Sequence, residues 1–547
     1  MSMANHFVPA TNDGAPYPPS EVEKLHYYYG LPSNPCLVAR SSGDVWLRPE
    51  GPEAYLQPKE LAPLGPHLLS HVMWENDVCP AMCRYLDGKD VKYGSLLPLR
   101  IGYANDMAAP PAVIFIGVLP GTLSHELGIV HAVHCRNILV EHGIKDMHVE
   151  IRESTVTRAA SLYKPAISAN PAARLIEPFS TSLGIPISLL ETPSVEGTGS
   201  FFFVDPNKPG QLFLVTARHV VISPNDHNNL YRFREGSGQP KIQVILLGAA
   251  AFLARLKDIQ AAIDGLDLVV QQLDKRLAHA DQLEDEEDAD EERAAVAKLK
   301  ADAVRAKAIQ TKLLADVQRD WKEPANRAIG HVIYSPPISF NSQDAFTEDW
   351  AVIQIDPKMI NNSNFKGNAI DVGSIDVATL TAYMCPNPKS AHSFEYPGSR
   401  LHKCYGMVSD QEMFSPDPST LDQDEDATLT VLKNGNTTGL TVGRLNTISA
   451  FVRTYFDGKL GALSREIAVL PRTCKSGGFS ARGDSGALVV DAKGRLCGML
   501  TGGDGVSVDA DITYATPANY IVQRLRACGF QANLFPTREE LANLLNA

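Results

Sequence analysis

Phe479-Ser-Ala-Arg-Gly-Asp-Ser-Gly486, followed at once by Ala-Leu-Val-Val490, is the stretch on which the reading of this 547-residue chain turns. Gly483-Asp484-Ser485-Gly486 sets a serine between glycines at the entrance to an apolar strand. Glycine there permits backbone angles and close approaches that a Cβ forbids. A serine held in this way can act as a nucleophile, with the amides of Gly483 and Ser485 aimed at a developing oxyanion. Gly, Asp and Ser are also ordinary turn residues, so the four letters mean catalysis only if the chain supplies a base and a group to orient it.

Both are found upstream. Leu212-Phe-Leu-Val-Thr-Ala-Arg-His219 ends an apolar strand on a histidine, and Glu348-Asp-Trp-Ala-Val-Ile-Gln-Ile355 opens one on Asp349, an unusual place for an unpaired carboxylate. Serine becomes a strong nucleophile only when a base removes its proton. Imidazole can take that proton and return it to the leaving group, and a buried carboxylate fixes the imidazole tautomer. His219, Asp349 and Ser485 are therefore the candidate catalytic residues, and Gly483 and Ser485 the candidate oxyanion hole.

Around these residues the pattern is a series of short strands, from Gly197-Thr-Gly-Ser-Phe-Phe-Phe-Val204 to Ile512-Thr-Tyr-Ala515. A helical texture interrupts it. Phe252, Leu256, Ile259, Ile263, Leu266, Val270, Leu273 and Leu277 recur in steps of four and three, an acidic run follows from Glu284 to Glu292, and a weaker alanine-rich stripe returns. An antiparallel coiled-coil hairpin is expected over 246–322, each arm about 40 Å long at roughly 1.5 Å per residue. It either satisfies itself as a loop decoration or serves, over 250–320, as a docking or self-associating arm.

Residues 1–165 suggest an α+β domain of unknown role. Cys36–Arg40 and Val45–Arg48 read as a hairpin about Ser41-Ser-Gly-Asp44. His67–Leu86 reads as a helix broken near Pro80. Strand Ala112–Val118, a helix from Ser124 to about His142, and strand Met147–Ile151 follow. Residues 166–193, rich in Pro and Ser, are expected to be a linker, 194–530 the β-rich domain, with Ala518–Ala527 as its closing helix, and 531–547 a C-terminal helix opened by the pair Thr537 and Glu540.

Composition limits the function classes. A net charge of −13 argues against nucleic acid as the main partner. No apolar run reaches membrane-span length, and the first residues carry no export signal pattern. Nine scattered cysteines do not resemble a disulfide framework, so reduced thiols in an intracellular compartment, cytoplasmic or nuclear, are expected. Cys79-Pro-Ala-Met-Cys83 lacks a second ligand pair, and His125 and His131 do not have the spacing of a zinc protease helix, so neither a metal nor a cofactor is expected.

Taken together, Thr216-Ala-Arg-His219, Asp349-Trp-Ala-Val-Ile353, Gly483-Asp-Ser-Gly486, Gly498-Met-Leu-Thr501 and Tyr514-Ala515 resemble the chymotrypsin/trypsin-like serine proteases over about Gly197 to Phe530. Thr437-Thr-Gly-Leu-Thr-Val-Gly443 and Phe479–Gly486 are most similar to intracellular trypsin-like proteins of fungi. The resemblance implies a double β-barrel, peptide-bond hydrolysis, protein or peptide substrates, and a primary pocket lined by Phe479, Gly503 and Ile512 that takes an apolar or small side chain. The alternative is a non-catalytic adaptor or scaffold on the same fold, binding partners through the helical hairpin and the N-terminal domain. Two departures matter. Val220 and Ala481 stand where secreted members have cysteines. Ile185-Pro-Ile187 is also a poor activation terminus, so Asp484 needs a different partner from the freed amino group of secreted zymogens.

Overall fold

The structure is a computed structural model that describes residues 14–31, 34–48, 56–104, 110–154, 161–222, 228–340, 346–390, 393–456, 459–505 and 509–545. The chain divides into two compact units, Met1–Thr157 and Arg158–Ala547.

The first unit is built on a five-stranded sheet ordered Leu37–Arg40, His148–Glu153, Ala112–Val118, Tyr93–Tyr103, Lys59–Ala62. Ala112–Val118 and His148–Glu153 are parallel, which requires a crossover. Helix His125–Glu141 provides it, opened by Ser124, whose hydroxyl accepts from Leu127 N. The expected hairpin at 36–48 does not form. Leu37–Arg40 is buried along its whole length and pairs with His148–Glu153, while Val45 and Leu47 stay exposed and offer no face to bury. The helix expected from His67 begins at His71, and a π-helical turn, Trp74–Val78, absorbs the break before Pro80, which sits in the first turn of Cys79–Gly88. The helix histidines are held by structural partners: His125 Nδ1 lies 2.7 Å from Val38 O, His131 Nδ1 lies 3.0 Å from Tyr85 Oη, and His134 stacks on Tyr85.

In the second unit, one sheet runs Glu196–Thr198, Pro186–Leu189, Gln243–Leu246, Ala328–Ser335, Ala351–Ile355, Leu212–Thr216, Phe202–Val204. Its two ends belong to one bent segment. Glu196–Thr198 pairs with Pro186–Leu189, Phe202–Val204 pairs with Leu212–Thr216, and Gly199 N and Ser200 N continue the ladder to Ile185 O and Val215 O. The sheet thus closes on itself as a barrel. A second sheet comprises Gly439–Leu445, Thr430–Gly435, Leu488–Asp491, Leu496–Asp504, Ile512–Pro517 and Lys459–Pro471, and the first and last of these also pair. Ala450–Phe456 extends it from Lys459–Pro471.

Residues 161–189 do not behave as the linker expected over 166–193. Leu162, Phe179, Leu183, Ile185 and Ile187 are buried in the main hydrophobic cluster of this unit, and Pro186–Leu189 is one of the strands of the first barrel. Proline and serine mark the turns of this segment, but its apolar residues are what hold it in place.

Between Gln243–Leu246 and Ala328–Ser335, which pair directly, stand two long helices, Ala249–Ala280 and Glu286–Trp321, each about 50 Å long. The pairs Arg276–Glu292, Asp274–Lys300 and Asp267–Lys307 step in opposite directions along the two helices, so the helices are antiparallel. Phe252, Ile259, Ile263, Leu313, Val317 and Trp321 root this arm in the barrel core, whereas Leu273, Val296 and Ala303 form a separate cluster further out. Helix Ala518–Ala527 follows the second barrel. Thr537 and Glu540 cap Arg538–Leu545 reciprocally, with Thr537 N to Glu540 Oε2 at 2.7 Å and Glu540 N to Thr537 Oγ1 at 3.1 Å.

Candidate active site

His219 lies in a single helical turn, Arg218–Val221, directly after strand Leu212–Thr216. Asp349 lies just before strand Ala351–Ile355. Those strands pair with Ala351 opposite Thr216, so barrel closure brings together two residues 130 apart in the chain. Asp349 Oδ2 accepts from His219 Nδ1 at 2.6 Å, and Asp349 Oδ1 accepts from His219 N at 3.1 Å. Both carboxylate oxygens therefore act on one residue, fixing the tautomer that leaves Nε2 free to accept a proton. Burial works against a charged imidazole, but the charge and hydrogen bond of Asp349 outweigh it and raise the His219 pKa above its ordinary value. Burial likewise works against the Asp349 carboxylate, and His219 outweighs it, lowering that pKa.

Ser485 stands between two glycines of positive φ, +98° at Gly483 and +91° at Gly486. Neither could carry a side chain. A Cβ on Gly483 would fall 2.3 Å from Thr437 Oγ1, and one on Gly486 would fall 2.0 Å from Thr198 O and 2.5 Å from Thr216 Oγ1. The loop is pinned between the barrels, with Ser485 O accepting from Thr198 N at 2.8 Å and Gly486 N donating to Leu500 O at 2.7 Å. Thr216 Oγ1 also donates to Thr198 O at 2.7 Å, which ties the loop to the strand leading to His219. Among the described residues, the amides of Gly483 and Ser485 have no acceptor, whereas those of Asp484 and Gly486 are both used. Ser485 Oγ makes no hydrogen bond to His219 Nε2 among these residues; contacts of this kind commonly tighten only when substrate fills the site.

Asp484 is fully buried and has a partner in Lys433, equally buried, with Nζ 3.3 Å from Oδ2. Its carboxylate also accepts from Thr437 N at 2.8 Å, Thr438 N at 3.2 Å, Thr438 Oγ1 at 2.6 Å and Ala481 N at 3.0 Å. Lys433 in turn reaches Thr438 Oγ1 and donates to Gly439 O. Burial lowers the lysine's pKa and Asp484 opposes that shift. In the sequence Lys433 opens a glycine-rich turn that runs to Gly443; the available signal is a lysine directly after the apolar pair Val431-Leu432 in the buried strand Thr430–Gly435.

A cleft of about 610 Å³ opens beside His219 and Asp349 and is walled by Thr501, Gly502, Gly503 and Phe451. Of the expected pocket residues, Gly503 lines this cleft. Phe479 is buried in the core of the second barrel against Gly443, and Ile512 pairs with Asp504 at a strand end. Ala510 packs against Gly503, where an added Cβ would fall 2.6 Å away. Glu466, not anticipated, also lines the cleft. Burial raises its pKa to about 7, against hydrogen bonds from Thr347 and Thr516. All nine cysteines are free thiols, with Cys79 and Cys83 Sγ atoms 3.9 Å apart. No group of three or more metal-ligating side chains comes together among the described residues, and no helix among them is long and apolar enough to cross a membrane.

No family model and no curated protein sequence matches the chain. Its structural neighbours are serine proteases. A glutamic acid-specific serine protease that uses a histidine triad in substrate binding is 12% identical, covering 65% of this chain and 100% of its own at a TM-score of 0.28. A Nocardiopsis protease is 12% identical, covering 63% and 97% at 0.28. Thermobifida fusca protease A is 11% identical, covering 65% and 100% at 0.28. Likeness at this level carries no functional argument.

Proposed function

We propose that the second unit is a chymotrypsin-like serine endopeptidase. The observation that carries this reading is the His219–Asp349 pair, both carboxylate oxygens engaged, at the end of a strand that Thr216 and Thr198 tie to the Gly483–Ser485 turn, whose two amides meet no acceptor among the described residues. Ser485 Oγ attacks the scissile carbonyl and His219 Nε2 takes its proton. The oxyanion is bound by Gly483 N and Ser485 N, and Asp349 stabilises the imidazolium. Collapse expels the amine, which takes the proton from His219 and leaves an acyl-enzyme. Water, activated by the same imidazole, then releases the acid.

Lys433 fills the role that a freed amino terminus would otherwise play toward Asp484, so this enzyme needs no activating cut. The substrate is a protein or peptide, and Gly503 in the cleft wall, with Ala510 packed against it, supports a small or apolar side chain before the scissile bond. The free thiols support an intracellular, cytoplasmic or nuclear setting. The narrower likeness to fungal proteins rests on the two motifs alone.

The test is cleavage of a mixed peptide library read by mass spectrometry. Ser485→Ala should lose on the order of a million-fold in turnover. Equal cleavage by both proteins, or by neither, would sink the reading. A second reading, partner docking through the arm, is favoured by Leu268, Val269, Leu299 and Val304, which lie exposed beyond the rooted portion. It predicts that polar substitutions there abolish complex formation while Ser485→Ala does not.

A further inference from the structure

Glu196, half-buried at the start of strand Glu196–Thr198, sits where the arm meets the barrel. Its Oε1 accepts from Ala251 N at 2.9 Å, in the first turn of helix Ala249–Ala280. The Ncap residue there is Gly248, which has no side chain to cap the helix, and a Cβ on it would fall 2.3 Å from Glu196 Oε1. Glu196 therefore supplies from outside the helix an acceptor and a negative charge at its positive end.

The other carboxylate oxygen, Oε2, accepts from Asn436 Nδ2 at 3.1 Å. Asn436 N donates to Thr198 Oγ1 at 3.1 Å, and Thr198 Oγ1 donates to Gly483 O at 3.0 Å. The next two residues, Thr437 and Thr438, give their amides to Asp484. Two branches from one carboxylate thus end on Gly483 and Asp484, the residues immediately before the nucleophile. A cavity of about 160 Å³, lined by Arg255 of the arm and by Asn434, Gly435 and Asn436, leaves this turn room to move.

Barrel closure does not require the arm, because the strands flanking it pair directly. A hydrogen-bonded path from an inserted element to the oxyanion turn is a link that closure does not explain. We propose that Glu196 is a positioning residue that couples the helical arm to the turn 436–438 and, through it, to the oxyanion amides. This rests on the peptidase reading only in what the coupling would control.

Hydrogen exchange of the full chain tests it, read on peptides covering 249–256, 434–441 and 481–487, with strand Ala112–Val118 as reference. Glu196→Ala should speed exchange in all three segments by roughly tenfold or more and leave the reference unchanged. Glu196→Gln should restore wild-type rates. Its amide can accept from Ala251 N and, once the Asn436 amide rotates, donate to Asn436 Oδ1, which has no partner among the described residues. Wild-type exchange at 434–441 or 481–487 in Glu196→Ala would overturn the coupling, as would equal loosening by Gln and Ala. Exchange is measured on unreacted protein, so a chain that behaves as expected here but cleaves no peptide would refute the peptidase reading alone.

Discussion

Lys433→Met removes the cation facing Asp484 and keeps most of the side chain's volume. Both partners are fully buried, so no solvent screens the loss. Deleting one member of a buried pair costs roughly 3–5 kcal/mol, because the other charge is left uncompensated. Here Asp484 retains donors from Ala481 N, Thr437 N, Thr438 N and Thr438 Oγ1, which places the cost at the low end, about 3 kcal/mol. That is about a 150-fold fall in the ratio of folded to unfolded protein. Urea unfolding followed by tryptophan fluorescence reads it, since Trp321 and Trp350 are both buried in this unit. The rate at which a fluorophosphonate labels Ser485 should fall as well, because the turn that presents the oxyanion amides is loosened. Adding Asp484→Asn removes the orphaned charge and should recover much of the stability. It should not recover the labelling rate, because an asparagine amide cannot accept from Ala481 N and Thr438 Oγ1 as Oδ2 does. An unchanged urea midpoint and an unchanged labelling rate in Lys433→Met would refute the role given to this pair.

The raised pKa of His219 sets the pH dependence. Nε2 must be unprotonated to act as base, so labelling of Ser485 should fall as pH drops through a midpoint above the ordinary imidazole value of about 6.5. The stability contributed by the raised His219 pKa runs the other way, fully present below that ordinary value and lost as pH rises through the folded-state pKa. The part contributed by the lowered Asp349 pKa is present above the ordinary carboxylate range and lost as pH falls through its folded-state pKa. Asp349→Asn should move the labelling midpoint downward and cost on the order of 10⁴-fold in rate; a midpoint that stays put would count against the assignment. Gly486→Ala should cost about 3 kcal/mol or more in urea unfolding, combining strain at φ +91° with a Cβ driven into Thr198 O; a wild-type midpoint would show that the loop has slack.

What could be read from the sequence was what local chemistry writes locally. An apolar strand ending in His219, another opening on Asp349, and glycines on either side of Ser485 each carry their constraint in a few adjacent residues. Thr537 and Glu540 do the same for the last helix. What escaped depends on chain closure. Lys433 reads as part of a turn because Asp484, the residue that explains it, lies 51 positions away and meets it only when the second barrel forms. Glu196 has nothing in its neighbours along the chain to single it out until the arm and Asn436 arrive on either side of it. Phe179 to Ile187 reads as linker because its prolines and serines are conspicuous, while the barrel that buries its apolar residues is assembled from later strands. Val45–Arg48 suits a hairpin locally, yet Leu37–Arg40 pairs with His148–Glu153 and buries its side chains in two clusters, Val38 and Ala39 with Ala132 and Leu139, and Leu37 with Tyr28 and Phe115.

Every role given to this site requires Ser485 to be a nucleophile activated by His219. Intact-protein mass spectrometry after treatment with a fluorophosphonate tests it most directly. The wild-type chain should gain one adduct, located on Ser485, and Ser485→Ala and His219→Ala should gain none at that position. An unmodified wild-type chain, or an adduct that persists in Ser485→Ala, would contradict it.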